Sequence, residues 1–121
     1  MKTGIILFAH GSRDPLWHKP MEAVAAQIRA TSPATAVLCA YLELSKPDLS
    51  SAIETLRQAD VQHVKVVPMF LGVGKHARED LPMLVADLQR LHPHLHIALQ
   101  SPVSEDLRLI DLLARIALTE Q

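Results

Sequence analysis

Three residues of this chain combine reactive side chains with informative positions: His10, Glu43 and His76. His10 opens the string His10-Gly11-Ser12-Arg13-Asp14-Pro15 directly after an apolar run, and Gly11 lets the backbone turn sharply beside it. Glu43 is a single acid between Leu42 and Leu44, just past a second apolar run. His76 follows a third, in Leu71-Gly72-Val73-Gly74-Lys75-His76-Ala77-Arg78, where two glycines make a flexible loop. Taken singly, each has a plain structural reading: a loop histidine satisfying a backbone carbonyl, or an acid favouring the positive end of a helix. Taken together, two imidazoles and a carboxylate suit a borderline divalent ion such as Co2+, Ni2+, Fe2+ or Zn2+. An incomplete ligand set leaves positions open, as transfer of the ion requires. Arg13, Lys75 and Arg78, with Ser12 beside them, are placed to hold the carboxylates of an acidic ligand.

The elements that must position these residues follow from periodicity. Four apolar, β-rich runs, residues 4–9, 36–41, 64–69 and 95–99, begin about thirty residues apart. Between them the apolar residues take helical spacing: Met21, Val24, Ala25 and Ile28; Leu49, Ala52, Ile53 and Leu56; Leu81, Leu84, Val85 and Leu88. That alternation predicts βαβ units on a four-stranded parallel sheet flanked by helices, an α/β domain over residues 1–121. The last helix, expected over 105–118, is apolar over a wider arc and is predicted to be buried on two sides or to meet a partner. Ser45 with Asp48 resembles a capping box, Ser104 stands ready to cap the last helix, and Pro20, Pro47 and Pro82 suit first helical turns. In an open parallel sheet, ligands bind outside the carboxyl ends of the strands. Segments 10–15, 42–47, 70–78 and 100–104 are therefore where a site is expected.

Composition narrows the function. With 121 residues, 49% of them apolar, the chain can bury one core. A formal net charge of −1 argues against a nucleic-acid backbone as partner. The first apolar run is too short to span a bilayer or to form a secretory signal core, so no membrane partner and a cytoplasmic location are expected. The lone Cys39 excludes an intramolecular disulfide and reads as a small buried hydrophobe.

The string from His10 to Pro15, Glu43 four residues ahead of Pro47, and the run Val67-Pro68-Met69-Phe70-Leu71 leading through Gly72 to His76 and on to Asp80-Leu81-Pro82 resemble the class II tetrapyrrole chelatases. The resemblance covers nearly the whole chain and is strongest to the short-form sirohydrochlorin cobaltochelatases. The sirohydrochlorin ferrochelatases are similar. It implies a chelatase-like domain of flavodoxin-like βα repeats. It also implies a lyase of cobalamin or porphyrin biosynthesis that inserts Co2+, or alternatively Fe2+ or Ni2+, into sirohydrochlorin or a related tetrapyrrole. The catalytic histidines then fall on His10 and His76 and the acidic metal ligand on Glu43. No cofactor is permanently bound, the divalent metal being a substrate, and the short form pairs as a homodimer. The chain departs from the family at Val73 and Lys75, where a second small residue is common.

The alternative to an enzyme is a non-catalytic carrier that binds metal or tetrapyrrole through the same residues. A phosphohistidine mechanism is disfavoured because Ala9, not Arg, precedes His10. A Walker loop is excluded because Met69 and His76 stand where Gly and Ser or Thr are required. His92, His94 and His96 alternate ahead of the last strand and read chiefly as a polar turn, a surface metal patch being the other reading. His18 and His63 have no companions in sequence. Trp17 reads as a packing residue at a helix start, or as a ring able to stack on a flat ligand.

Overall fold

The apolar runs become strands because each finds cover on at least one face, and the first two find it on both. The computed structural model describes residues 2–72 and 74–119. In it β1 (Thr3–Ala9), β2 (Ala36–Tyr41), β3 (His63–Pro68) and β4 (His96–Leu99) form one parallel sheet in the order β2-β1-β3-β4. The helices are α1 (Lys19–Thr31), α2 (Leu49–Gln58), α3 (Lys75–Leu91) and α4 (Leu107–Leu118), with short 3-10 turns at Pro15–His18 and Val103–Glu105.

Alternation along each strand divides the core in two. Ile6, Phe8, Ala40, Val64, Val66 and Ile97 face α2 and α3, where Leu49, Ala52, Ile53, Leu56, Val85 and Leu88 are buried. Leu7, Ala9, Val37, Cys39, Tyr41 and Val67 face the other way, against Met21 and Ala25 of α1. On that second face α1 covers the β1–β2 half, while Lys65, His96 and Ala98 on the β3–β4 half stay exposed. Burial, helped by the nearby Glu22 carboxylate, pushes the Cys39 thiol up to about 12, so it is an inert core group.

Four expectations need correction. Asp48, not Ser45, caps α2, accepting from the Ser51 N–H, because Ser45 is engaged elsewhere. Asp106, not Ser104, caps α4, and its pairing with Arg108 holds its carboxyl down to about 2. Helix α3 starts six residues before the predicted stripe begins, so Pro82 is interior and His76 sits in the first helical turn rather than in a loop. Finally, α4 buries none of its residues: Leu107, Ile110, Leu112, Leu113, Ile116 and Leu118 are 40–81% exposed.

At the far edge of the sheet, β4 pairs with β3 on one side only. There the Gln89 side chain donates to the carbonyls of His92 and Leu95, and its Oε1 accepts from the outward N–H of Ile97.

Candidate functional site

The carboxyl edge of the sheet gathers the predicted residues because β1, β2 and β3 end side by side. The ladders run on past the strands, with the Leu42 N–H donating to Ala9 and the Met69 N–H to Phe8. His10 therefore leaves β1 beside Glu43, which leaves β2. Nδ1 of His10 lies 3.6 Å from Oε1 of Glu43, both side chains about half exposed. That separation is a long ion pair rather than a tight hydrogen bond, and water reaches it. Phe70, buried at the end of β3, sets its ring 4.6 Å from the His10 ring and edge-on to Phe8 at 6.0 Å.

His76 lines a concavity that the same phenyl group also walls. Phe70 walls a concavity of about 370 Å³ with His10, Trp17 and Met69. It also walls one of about 190 Å³ with His76, Asp80 and Leu84. The structure thus brings His10 and Glu43 together and puts His76 in a separate concavity that shares Phe70 with that of His10. Among the described residues, no three His, Cys, Asp or Glu side chains converge on a single ion position. Arg13, Lys75 and Arg78 are exposed and have no ion-pair partner among the described residues, unlike Arg57, Arg90, Arg108 and Arg115 on the helices. Arg78 borders a further concavity of about 440 Å³ beside Gln100 and Ser104. Val73 lies outside the described residues.

Sequence reading missed the residues that hold His10 and Glu43 in place. The Ser45 hydroxyl donates to the Ser12 carbonyl at 2.7 Å and accepts from the Ser12 N–H at 2.9 Å. A hydroxyl has one hydrogen. His18 Nε2, 3.0 Å from the same oxygen, must therefore be the donor, which fixes the Nε2–H on His18. The His18 ring stacks on Tyr41 at 4.6 Å, and the Trp17 indole N–H donates to the His10 carbonyl at 2.9 Å. Gly11 presses so close to the neighbouring loop that a Cβ there would fall 1.7 Å from the Glu43 carbonyl oxygen. Leu44 sits at φ 62° under a tight turn in which the Ser45 N–H donates to the Glu43 carbonyl. A leucine in the left-handed region is strained, and such strain persists only where surrounding contacts over-determine it. The sequence signal for Gly11 was its glycine. His18 and Ser45 lie far from each other along the chain, and no spacing rule links them.

Comparison with known proteins gives the family. A CbiX family profile matches residues 4–119. A sirohydrochlorin cobaltochelatase of Methanosarcina barkeri is 31% identical over 70% of this chain and 65% of its own length. That of Methanopyrus kandleri is 28% identical over 69% of this chain and 58% of its own. The chain thus spans about three fifths of the length of these relatives. A CbiX protein of cobalamin biosynthesis from Marinobacter aquaeolei superimposes with a TM-score of 0.81 at 31% identity, covering 95% of this chain and 93% of that one. The cobalt complex of the sirohydrochlorin chelatase SirB from Bacillus subtilis subspecies spizizenii gives 0.79 at 25% identity, over 95% of this chain and 49% of that one. By the extent of the profile match, this chain belongs to the CbiX family.

Proposed function

We propose that the chain inserts a divalent metal ion, Co2+ in first place and Fe2+ or Ni2+ otherwise, into sirohydrochlorin or a related tetrapyrrole. The observation that carries this reading is the His10–Glu43 pair at the open carboxyl edge, with His76 lining a neighbouring concavity that shares Phe70. Insertion removes two pyrrole N–H protons and replaces the ion's water with ring nitrogens. Imidazole is the side chain that exchanges protons near neutral pH, and it also binds these ions. With Nδ1 turned towards Glu43, His10 keeps Nε2 for the ion or for a pyrrole proton. The carboxylate then orients the ring and takes up charge, as outer carboxylates do for metal-binding histidines. His76 serves from the neighbouring concavity. The half-exposed, incomplete donor set holds an ion loosely enough to release it.

The surroundings suit a flat, many-carboxylate ligand. Leu16, Trp17, Leu42, Leu44 and Leu71 are exposed in the loops of this edge, an apolar seat for a macrocycle face. Arg13, Lys75 and Arg78, with Ser12, are free to take its carboxylates. No permanently bound cofactor is required, since the metal is a substrate. The exposed apolar stripe of α4 suits a second copy of the chain, and we propose a homodimer acting in the cytoplasm. No described helix is long and apolar enough to cross a membrane.

The test is anaerobic turnover of sirohydrochlorin with Co2+, Fe2+ and Ni2+ in parallel, followed by absorbance. Many turnovers per site, with His10→Ala and His76→Ala each at least about tenfold slower, are expected. One metallated ring per site would instead identify a carrier, and wild-type rates in both variants would sink the residue assignment. Sedimentation as a monomer at micromolar concentration would overturn the dimer.

A further inference from the structure

The structure brings a second pair of imidazoles together at the opposite end of the sheet. His63 opens β3 and His96 opens β4, and the two are register partners on adjacent parallel strands. Register partners leave the same face of a sheet. Their rings stand 5.3 Å apart, inclined at 54°. Neither has a hydrogen-bond or ion-pair partner among the described residues, whereas the rings of His10 and His18 do. Both border a concavity of about 560 Å³ that also includes Thr3, Thr35 and Lys65.

We propose that His63 and His96 form a second divalent transition-metal site, independent of the His10 edge. Each imidazole would supply one nitrogen, and water would complete the shell of an ion of the Co2+, Ni2+ or Zn2+ class. The ring separation argues for this specifically. Such an ion sits about 2.0–2.1 Å from a ligating nitrogen, and the ring centroid lies about 1.1 Å beyond, so two ligands at a tetrahedral angle put their centroids about 5.2 Å apart. A right-angle pair would need about 4.5 Å. The rings already stand at the tetrahedral spacing, and only rotation about the soft terminal torsion of each histidine is left to aim the nitrogens. The concavity admits a hydrated ion, and the threonine hydroxyls offer partners to its waters. Lys65 works the other way: its positive charge in the same lining keeps the affinity moderate.

The six residues of β3 put roughly 20 Å of strand between this pair and the carboxyl edge. An ion bound here cannot be shared with His10, so the chain has two separately titrating metal sites. The site does not depend on the chelatase reading.

The test uses the full chain and Co2+ alone, with no tetrapyrrole. Calorimetric titration gives the affinity, and paramagnetic broadening of the imidazole 1H–15N resonances locates the ion. Broadening centred on His63 and His96 is expected. His63→Ala and His96→Ala should each weaken that binding at least tenfold, with far-UV circular dichroism unchanged. His10→Ala should leave it intact. Wild-type Co2+ affinity and broadening in both variants would overturn the site. So would loss in one variant alone, which would mean a single-histidine contact. His63→Gln, which keeps a polar side chain of similar size, guards against an effect of alanine on the strand end.

Discussion

The loops that leave β1 and β2 carry His10 and Glu43; the loop that leaves β3 leads to His76. The first two are bolted to each other. Gly11 lies against the Glu43 carbonyl, the Ser45 hydroxyl grips both polar groups of the Ser12 backbone, and His18 fixes that hydroxyl from the far side. Among the described residues, nothing comparable restrains the third. Gly72 and Gly74 have open space where a Cβ would go, and the N-cap of α3 at Gly74 receives no side-chain hydrogen bond. Among the described residues, one half of the site is therefore held by contacts between its loops and the other half is not. That division suits the proposed reaction, in which the His10–Glu43 pair must hold its geometry while a bulky, flat ligand enters and leaves.

The contrast can be broken most severely at Gly11. Gly11→Ala drives a methyl group into the Glu43 carbonyl, so one loop must move. Overpacking against backbone should lower stability by about 3 kcal/mol, read as the urea midpoint, and abolish turnover. Next comes Ser45→Ala, which leaves the Ser12 N–H and the His18 N–H without their partner. A loss of about 1–3 kcal/mol is expected. Turnover should fall about tenfold, as for other groups that orient a metal-binding histidine, with partial recovery in Ser45→Thr. The smallest effect belongs to the free loop. Gly72→Ala should stay within about 0.5 kcal/mol of wild type in the same urea assay. A Gly72 variant as damaging as Gly11→Ala would erase the distinction between the two halves.

Much of the fold was legible because burial on two faces leaves a continuous apolar signal. The stripe of Leu49, Ala52, Ile53 and Leu56 is buried in full, as its spacing predicts. The neighbouring stripe of Leu81, Leu84, Val85 and Leu88 was read correctly as apolar but placed too late for the start of its helix. Pro82 hid the true start: proline removes a helix hydrogen bond and favours a first turn, yet here the helix runs through it. The last helix misled for another reason. Periodicity reports that an apolar stripe exists, not that the same chain covers it, and α4 has its stripe in solvent.

The site divided along similar lines. His10 and Glu43 were readable because an ionisable residue at the end of a buried strand has no propensity reason to be there, and in-register strand ends put the two side by side. His18, Ser45 and the His63–His96 pair were not readable. Their meaning lies in contacts between residues 27 and 33 positions apart that no local pattern encodes. Phe70 falls between these cases. It belonged to a recognisable run, but its place in the walls of both histidine concavities needed the path of the chain beyond β3.

The Gln89 side chain at the outer edge of β4 has a consequence for how the protein behaves in a crowded solution. A free strand edge is a template on which another chain can add a strand, the first step towards aggregation. Here the Ile97 N–H, which points away from β3, is already occupied by an amide from the chain's own helix, as is the carbonyl of Leu95. Gln89 acts as a stopper on that edge. The pairing proposed for the apolar face of α4 can then take place without the sheets also stacking edge to edge.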